Sequence, residues 1–211
     1  MITRNKHLNI FNYYSEQSIG SEQLSNGKRT RPIENNLSRG LAIVMEDNPL
    51  FLSGLIDFLN HSAKGISIYK PNFKENIKIF IQGNIKSLTR DIVENELPVD
   101  KIFGATLTAG ITEQDRKHLT VGDKTIPDIC LHLTDKDGSG LMLLIEVKPR
   151  DENSVKSQVE NQMAGLMQSI NEKRNADDTK LEETDINFLT QITWEDIVRL
   201  LQSTLSLGGG K

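Results

Sequence analysis

Ile129-Cys-Leu-His-Leu-Thr134 and Leu141-Met-Leu-Leu-Ile145 are two short apolar runs, and Asp135-Lys-Asp-Gly-Ser-Gly140 lies between them. Apolar runs of this length bounded by turn residues are typical of buried strands, and Asp-Gly followed by a further glycine favours a hairpin turn. We therefore predict two antiparallel strands joined by a hairpin. The second run has no polar alternation, so we expect it to be a central strand buried on both faces.

The predicted hairpin brings two acidic side chains to one end of the sheet. Asp128 precedes the first strand, and Glu146 closes the second. A loop of residues 135 to 139 places Asp128 directly opposite Glu146, on the same face at about 5 Å. A two- or four-residue loop centred on residues 137 and 138 instead places Asp128 opposite Val147, and twist or a bulge must then bring the carboxylates together. We favour the first register; Lys148 shares the face of Glu146 in both.

The triplet Glu146-Val-Lys148 is informative because of where it lies. Three acid-x-Lys triplets occur in the chain, and chance alone predicts roughly two. Asp115-Arg-Lys117 and Asp178-Thr-Lys180 lie in polar stretches, whereas Glu146-Val-Lys148 ends an apolar strand. The strand context, and not the pattern, singles out the third triplet as a candidate site.

Length and composition point to one domain. A chain of 211 residues with 36% hydrophobic residues is long enough for one substantial core. We find no apolar run of membrane-spanning length and no signal-peptide pattern, and we expect a soluble, cytoplasmic protein without a membrane partner. Cys130 is the only cysteine, which excludes disulfides within the chain and thiolate zinc sites. The four histidines lack ligand spacing and argue against a histidine-based metal site.

The overall charge of the chain does not indicate nucleic-acid binding. The net charge is −4, whereas nucleic-acid binding usually requires a basic surface. Residues 1 to 40 are locally basic, and the cluster Lys28-Arg-Thr-Arg31 is compatible either with phosphate contacts or with a solvated loop.

Periodicity and capping residues indicate three regions, namely an N-terminal extension (1–31), one domain (32–207) and a flexible glycine-rich tail (208–211). We predict a helix from about Pro32 to Asp47 and a second from Pro49 with Asn48 as its cap. Further helices are predicted from Ser154 to about Asn171 and from Trp194, which Thr193 is placed to cap. Strands are predicted at 66–69, 77–81, 102–107 and 186–192, and residues 85–96 are compatible with strand or helix.

This order of elements, with Pro127-Asp128 and Glu146-Val-Lys148 at its centre, resembles the PD-(D/E)XK nuclease superfamily over roughly residues 32 to 205. The resemblance implies an α/β (α+β) fold with a restriction-endonuclease-like core. In that core a helix is followed by a three-stranded meander, a helix and a fourth strand. We expect a central mixed β-sheet flanked by helices, with an N-terminal helical elaboration.

The resemblance also implies a metal site. Asp128 and Glu146 are expected to bind Mg²⁺, for which Mn²⁺ can substitute, together with the backbone carbonyl of Val147. Mg²⁺ prefers oxygen ligands and keeps several waters, so two carboxylates can hold an ion that also contacts a phosphate. Lys148 is expected to orient the attacking water or to stabilise the transition state. The alternative is a structural ion pair at the end of a strand.

Two further residues match family positions. Glu34 lies in the first turn of the leading helix on the face of Leu37 and Leu41, which makes it either a metal ligand or an acid favoured by the helix dipole. Gln158 lies on the helix after Lys148, where exonuclease-like branches carry glutamine followed four residues later by tyrosine. Here that later residue is Gln162. The two amides are expected to order the substrate phosphate or the lysine, or else to be structural.

The function implied is a Mg²⁺-dependent nuclease that hydrolyses phosphodiester bonds, with DNA as the favoured substrate and with Asp128, Glu146, Lys148 and Gln158 as its catalytic group. By analogy it is an effector in restriction or anti-phage defence that acts as a homodimer or as a subunit of a larger complex. The alternative is a catalytically inactive nuclease-fold scaffold or interaction subunit, which the lack of a strong basic patch favours. An unrelated α+β enzyme has no motif to support it, since phosphate-loop and nucleophile-elbow patterns are absent.

Overall fold

The computed structural model describes residues 30–62, 77–81, 84–108, 127–135, 137–148, 155–175 and 178–208, with side chains from residue 37 onward in the first helix. The strand predicted at 66–69, the cap predicted at Ser154, residues 28 and 29 and the side chains of residues 30 and 31 lie outside what it describes. Among the described helices, none is long and apolar enough to cross a membrane.

The described chain folds as an α/β domain in which helices flank one mixed five-stranded sheet. This architecture is compatible with the restriction-endonuclease-like core that we expected, and two helices precede the first strand. Residues 85–96 were left open by the sequence; of these, Ile85–Glu94 form a helix that Asn84 caps by accepting a hydrogen bond from Ser87 N at 2.8 Å. The elements are α1 Thr30–Asp47, α2 Pro49–Ser62, β1 Ile77–Ile81, α3 Ile85–Glu94, β2 Lys101–Thr108, β3 Ile129–Thr134, β4 Gly140–Val147, α4 Val155–Lys173, β5 Ile186–Thr193 and α5 Trp194–Gly208.

The sheet has the strand order β1-β3-β4-β2-β5, so β4 lies at its centre as predicted. β1, β3 and β4 are antiparallel neighbours, whereas β4, β2 and β5 are parallel neighbours. The expected meander is therefore present in space but not in sequence, because α3 and β2 come between β1 and β3. β2 is buried on both faces beyond Lys101, and a strand apolar on both faces belongs in the interior of a sheet covered by helices.

The hairpin has the first of the two registers considered. Ile129 pairs with Ile145, and the pairing continues to Thr134 opposite Gly140. Asp135 N donates to Ser139 O at 2.9 Å, which closes the five-residue loop. Gly138 has φ +87° in this loop, and glycine adopts that conformation without the steric cost that a side chain brings.

Each face of the sheet carries its own core layer. Odd-numbered residues of β3 and β4 pack against α1, α2 and α5, and even-numbered residues pack against α3 and α4. α4 approaches β2 closely at Gly104, where a Cβ would overlap Val159 and would lie 2.7 Å from Met163 Sδ. Because side chains alternate along β4, Glu146 continues the row of Met142 and Leu144 and is directed toward α4.

Two helix starts confirm the predicted caps. Phe51 N donates to Asn48 Oδ1 at 3.1 Å at the start of α2. At the start of α5, Thr193 N donates to Asp196 Oδ2 at 3.0 Å, and Asp196 N donates to Thr193 Oγ1 at 3.2 Å. Reciprocal bonds of this kind satisfy donors that the first helical turn leaves without partners.

His132 is a buried structural residue of β3. Its Nε2 lies 2.7 Å from Pro98 O, and a carbonyl can only accept, so the neutral ring carries its proton on Nε2. Burial, the largest influence, lowers the pKa of His132, although the bond to Pro98 acts in the opposite direction.

We expect His132 to make the fold sensitive to mild acid. Its pKa is lower in the folded state than in the unfolded state, so the unfolded chain binds more protons and stability falls as the pH decreases below about 6.5. Urea unfolding between pH 7.5 and 5 measures this slope. His132→Gln should flatten it. An equal slope in wild type and His132→Gln would contradict the assignment.

Candidate active site

Three charged side chains converge at the end of the sheet where β3 begins and β4 ends. Asp128, Glu146 and Lys148 are 9%, 1% and 3% exposed. Charged groups are seldom buried to this extent unless they are paired or hydrogen-bonded. The three predicted residues are therefore brought together, in a buried cluster on the α4 side of the sheet.

Asp128 is held by the backbone of the neighbouring strand. Its Oδ2 accepts a hydrogen bond from Val147 N at 2.9 Å. Backbone pairing between β3 and β4 ends at Ile129 and Ile145. Beyond that point, the side chain of Asp128 accepts the hydrogen bond from the backbone of β4. The carboxylate is thereby fixed next to the strand that carries Glu146.

Glu146 is bound by three N–H donors among the described residues. Lys148 Nζ lies 2.9 Å from Oε1, and Gln158 Nε2 donates to the same oxygen at 2.6 Å. Gln162 Nε2 donates to Oε2 at 3.1 Å. Gln158 and Gln162 are one helical turn apart on α4, so a single helix face supplies both amides. The glutamines were expected at the substrate phosphate or the lysine; the structure places them on the glutamate.

Lys148 is anchored through its backbone on both sides. Its N–H donates to Leu107 O of β2 at 2.8 Å, and its carbonyl accepts from Trp194 Nε1 of α5 at 3.1 Å. The ammonium is therefore presented from a main chain held by a neighbouring strand and a helix. Groups held in this way lose little entropy when they act on a ligand.

The carbonyl of Val147 faces the Asp128 side of β4. Both polar groups of one residue point to the same side of an extended strand, and the Val147 N–H bonds Asp128. The observed pairing ends at Ile129 and Ile145, and extending its register by two residues would set Pro127 opposite Val147. Proline has no N–H to give to that carbonyl. The Pro-Asp dipeptide thus supplies a carboxylate through Asp128. Pro127 offers no backbone N–H that could donate a strand-pairing hydrogen bond to the Val147 carbonyl.

The charges of the cluster affect the pKa of Cys130 in the core next to it. Burial raises the pKa of Cys130 far above its usual range, and the negative charges of Asp128 and Glu146 raise it further. Cys130 therefore stays a neutral thiol, and its burial in β3 makes it a small core residue. The two carboxylates share the sheet face of Cys130, as alternation along β3 and β4 requires.

The donor set fits one Mg²⁺ ion. It offers two carboxylates and a carbonyl oxygen, and Mg²⁺ is usually bound through one or two carboxylates with waters and a substrate phosphate. Within the described ranges, no group of three or more His, Cys, Asp or Glu side chains forms a metal site. Glu34 lies in α1, and its side chain is outside what the structure describes.

Sequence reasoning missed the neighbours that β2 and β5 contribute. Thr106 pairs with Glu146 in the parallel ladder and is 3% exposed. On the same face, Gln191 Nε2 donates to Thr108 Oγ1 at 2.6 Å. Polar residues at the carboxyl ends of parallel strands are a recurrent sign of a site. That sign becomes readable only when β2 is known to lie beside β4.

Comparison of the chain with protein-family models, with curated proteins and with solved structures finds no match.

Proposed function

We propose that this protein is a Mg²⁺-dependent nuclease that hydrolyses phosphodiester bonds. The observation that supports the proposal is the burial of Asp128, Glu146 and Lys148 at one end of β3 and β4, with the Glu146 Oε1 to Lys148 Nζ distance at 2.9 Å. Two carboxylates and one ammonium carry one net negative charge when all are ionised. A divalent cation reverses that charge and makes the site attractive to a phosphodiester.

Each residue has a distinct part in the proposed reaction. Asp128, Glu146 and the Val147 carbonyl hold the cation, which when bound lowers the pKa of a coordinated water and neutralises charge on the phosphate. Lys148 orients the attacking water or donates to a phosphate oxygen, and its anchored backbone keeps the ammonium in place. Gln158 and Gln162 act one step away, because they hold the carboxylate of Glu146.

We propose DNA as the substrate and restriction or anti-phage defence as the setting. Both proposals rest on the resemblance to the PD-(D/E)XK nuclease superfamily. The Pro-Asp and Glu-x-Lys motifs and the order of elements around them carry that resemblance. A homodimer, or a complex with a partner subunit, would deliver two such sites to a duplex.

Asp128→Asn tests the proposal with little change to the fold. The asparagine oxygen can still accept from Val147 N–H, but the negative charge that a cation needs is gone. We expect Mn²⁺ affinity to fall at least about tenfold and cleavage of plasmid, linear DNA or RNA in Mg²⁺ or Mn²⁺ to disappear. Isothermal calorimetry and gel assays measure the two effects.

Asp178→Asn is the matched control. Asp178 is exposed, accepts a backbone N–H from Asn175 at 2.7 Å, and opens one of the other acid-x-Lys triplets. It should behave as wild type. Cleavage that persists unchanged in Asp128→Asn would contradict the proposal.

A structural role is the second candidate, because the donors on Glu146 would satisfy its carboxylate without any cation. In that case the protein is a nuclease-fold scaffold whose ion pair stabilises the sheet end. It predicts no Mn²⁺ binding that depends on Asp128. Calorimetry on wild type and Asp128→Asn therefore separates the two candidates before any substrate is known.

A further inference from the structure

We propose that Gln158 and Gln162 restrict Glu146 to a single-oxygen contact with its cation and thereby select Mg²⁺ over Ca²⁺. The inference rests on the proposed function, since it concerns the same cation site. It assigns to the two glutamines of α4 a positioning role on the carboxylate of Glu146 in place of a direct contact with the substrate.

The hydrogen bonds on Glu146 leave its two oxygens unequal. A carboxylate has about four acceptor positions, two on each oxygen. Among the described residues, Lys148 and Gln158 bond Oε1, and Gln162 bonds Oε2. Of these four positions, the described donors leave one, on Oε2. Glu146 can therefore reach a cation through that oxygen while it keeps all three donors.

The glutamate cannot easily rearrange to offer both oxygens. Rotation of the carboxylate would break bonds at Oε1 and Oε2 together, because donors hold both atoms. Glu146 and Gln162 are each 1% exposed, so lost bonds would not be replaced by water. α4 packs on β2 at Gly104, which holds the two amides at a set distance from the sheet.

Cation chemistry turns this asymmetry into selectivity. Ca²⁺ takes six to eight oxygen ligands and readily uses both oxygens of one carboxylate, whereas Mg²⁺ is octahedral, keeps several waters and needs one oxygen from each carboxylate. If Glu146 can contact a cation only through Oε2, it provides the single oxygen that Mg²⁺ needs from a carboxylate. Ca²⁺ would lack the second oxygen that it readily uses. Gln158 is the residue whose removal would open Oε1.

Methionine variants separate the two amides, because methionine keeps the length of glutamine without its N–H donors. Gln158→Met should raise the ratio of Ca²⁺ to Mg²⁺ affinity about tenfold, since it opens an acceptor position on Oε1. Gln162→Met opens no position on Oε1 and removes a donor that holds the carboxylate in place, so both affinities should fall by a similar factor and their ratio should stay. Calorimetric titrations in which Ca²⁺ or Mg²⁺ competes with Mn²⁺ for the site give the ratio for each variant, and they need no substrate.

Gln168→Met is the control on the same helix, because Gln168 is exposed and its amide donates to Glu172 at 3.0 Å. It should leave both affinities unchanged. An unchanged ratio in Gln158→Met with Mg²⁺ binding retained overturns this inference and leaves the proposed function standing. Absence of any cation binding in wild type overturns both. If Gln158→Met melts early, the smaller Gln158→Ala replaces it and must show the same rise.

Discussion

Glu146→Gln is expected to abolish cleavage and to lower stability together. If Glu146 holds the proposed cation, losing its carboxylate removes several kcal/mol of transition-state stabilisation, and about 4 kcal/mol corresponds to roughly a thousandfold in rate. The substitution also removes the negative partner of a buried ammonium and points a new NH₂ group either at the donors of Lys148 and Gln158 or at the donor of Gln162. Breaking a buried ion pair from one side costs about 3–5 kcal/mol. Cleavage assays and urea unfolding measure the two effects separately.

Adding Lys148→Met to Glu146→Gln tells catalysis from stability. Removing the Lys148 ammonium as well leaves no buried charge that has lost its contact with residue 146, so the double variant should recover part of the lost stability while cleavage stays absent. The exposed pair Glu195–Arg199, with its 2.6 Å contact, gives a control: Glu195→Gln should change neither property measurably. Cleavage restored in the double variant would mean that Glu146 contributes only to folding.

Gly140→Ala is expected to cause the largest loss of stability from a single methyl group. A Cβ at residue 140 would overlap the carbonyl of Pro98, which is backbone and cannot rotate away. The same junction holds two hydrogen bonds of 2.7 Å, from Asp100 N to Gly140 O and from Gly140 N to Asp100 Oδ2. We expect a cost of about 3 kcal/mol, which lowers the melting temperature by roughly 6–12 °C for a chain of this size.

Gly40→Ala is the opposite control. Gly40 lies inside α1, and no described atom lies within 4 Å of the Cβ that alanine would add. The substitution should therefore stabilise the protein by about 0.5–1 kcal/mol through helix propensity. Calorimetric melting of both variants measures the contrast. A Gly140→Ala protein as stable as wild type would show that β4 begins away from the Pro98 carbonyl.

The hairpin was predictable because its determinants are local. Loop length, alternation and the Asp-Gly turn specify which residues face each other, and the observed pairing of Ile129 with Ile145 follows. The same local rules place Glu146 and Lys148 on one face, which their 2.9 Å contact confirms. The caps at Asn48 and Thr193 were readable for the same reason, since each acts within one helical turn.

The position of β2 was not predictable in this way. Its sequence indicates a buried strand, but nothing within Lys101–Thr108 says that it pairs parallel with β4 and not with its neighbour in sequence. Residues 85–96 were ambiguous for a related reason, because short apolar segments fit either period until packing decides. In the fold, Leu88 and Ile92 of α3 pack beneath α4, and this tertiary contact settles the helix.

The sequence alone established the candidate chemistry, namely an aspartate, a glutamate and a lysine at one end of a hairpin, because neighbours along paired strands obey fixed alternation and register. The tertiary structure determined which other residues contact these three side chains. The amides of Gln158 and Gln162 reach Glu146 because α4 lies close to the sheet at Gly104, and Thr106 lies beside Glu146 because β2 crosses to the far side of β4. Such contacts join residues distant along the chain, and they depend on how whole layers pack, which no local spacing encodes.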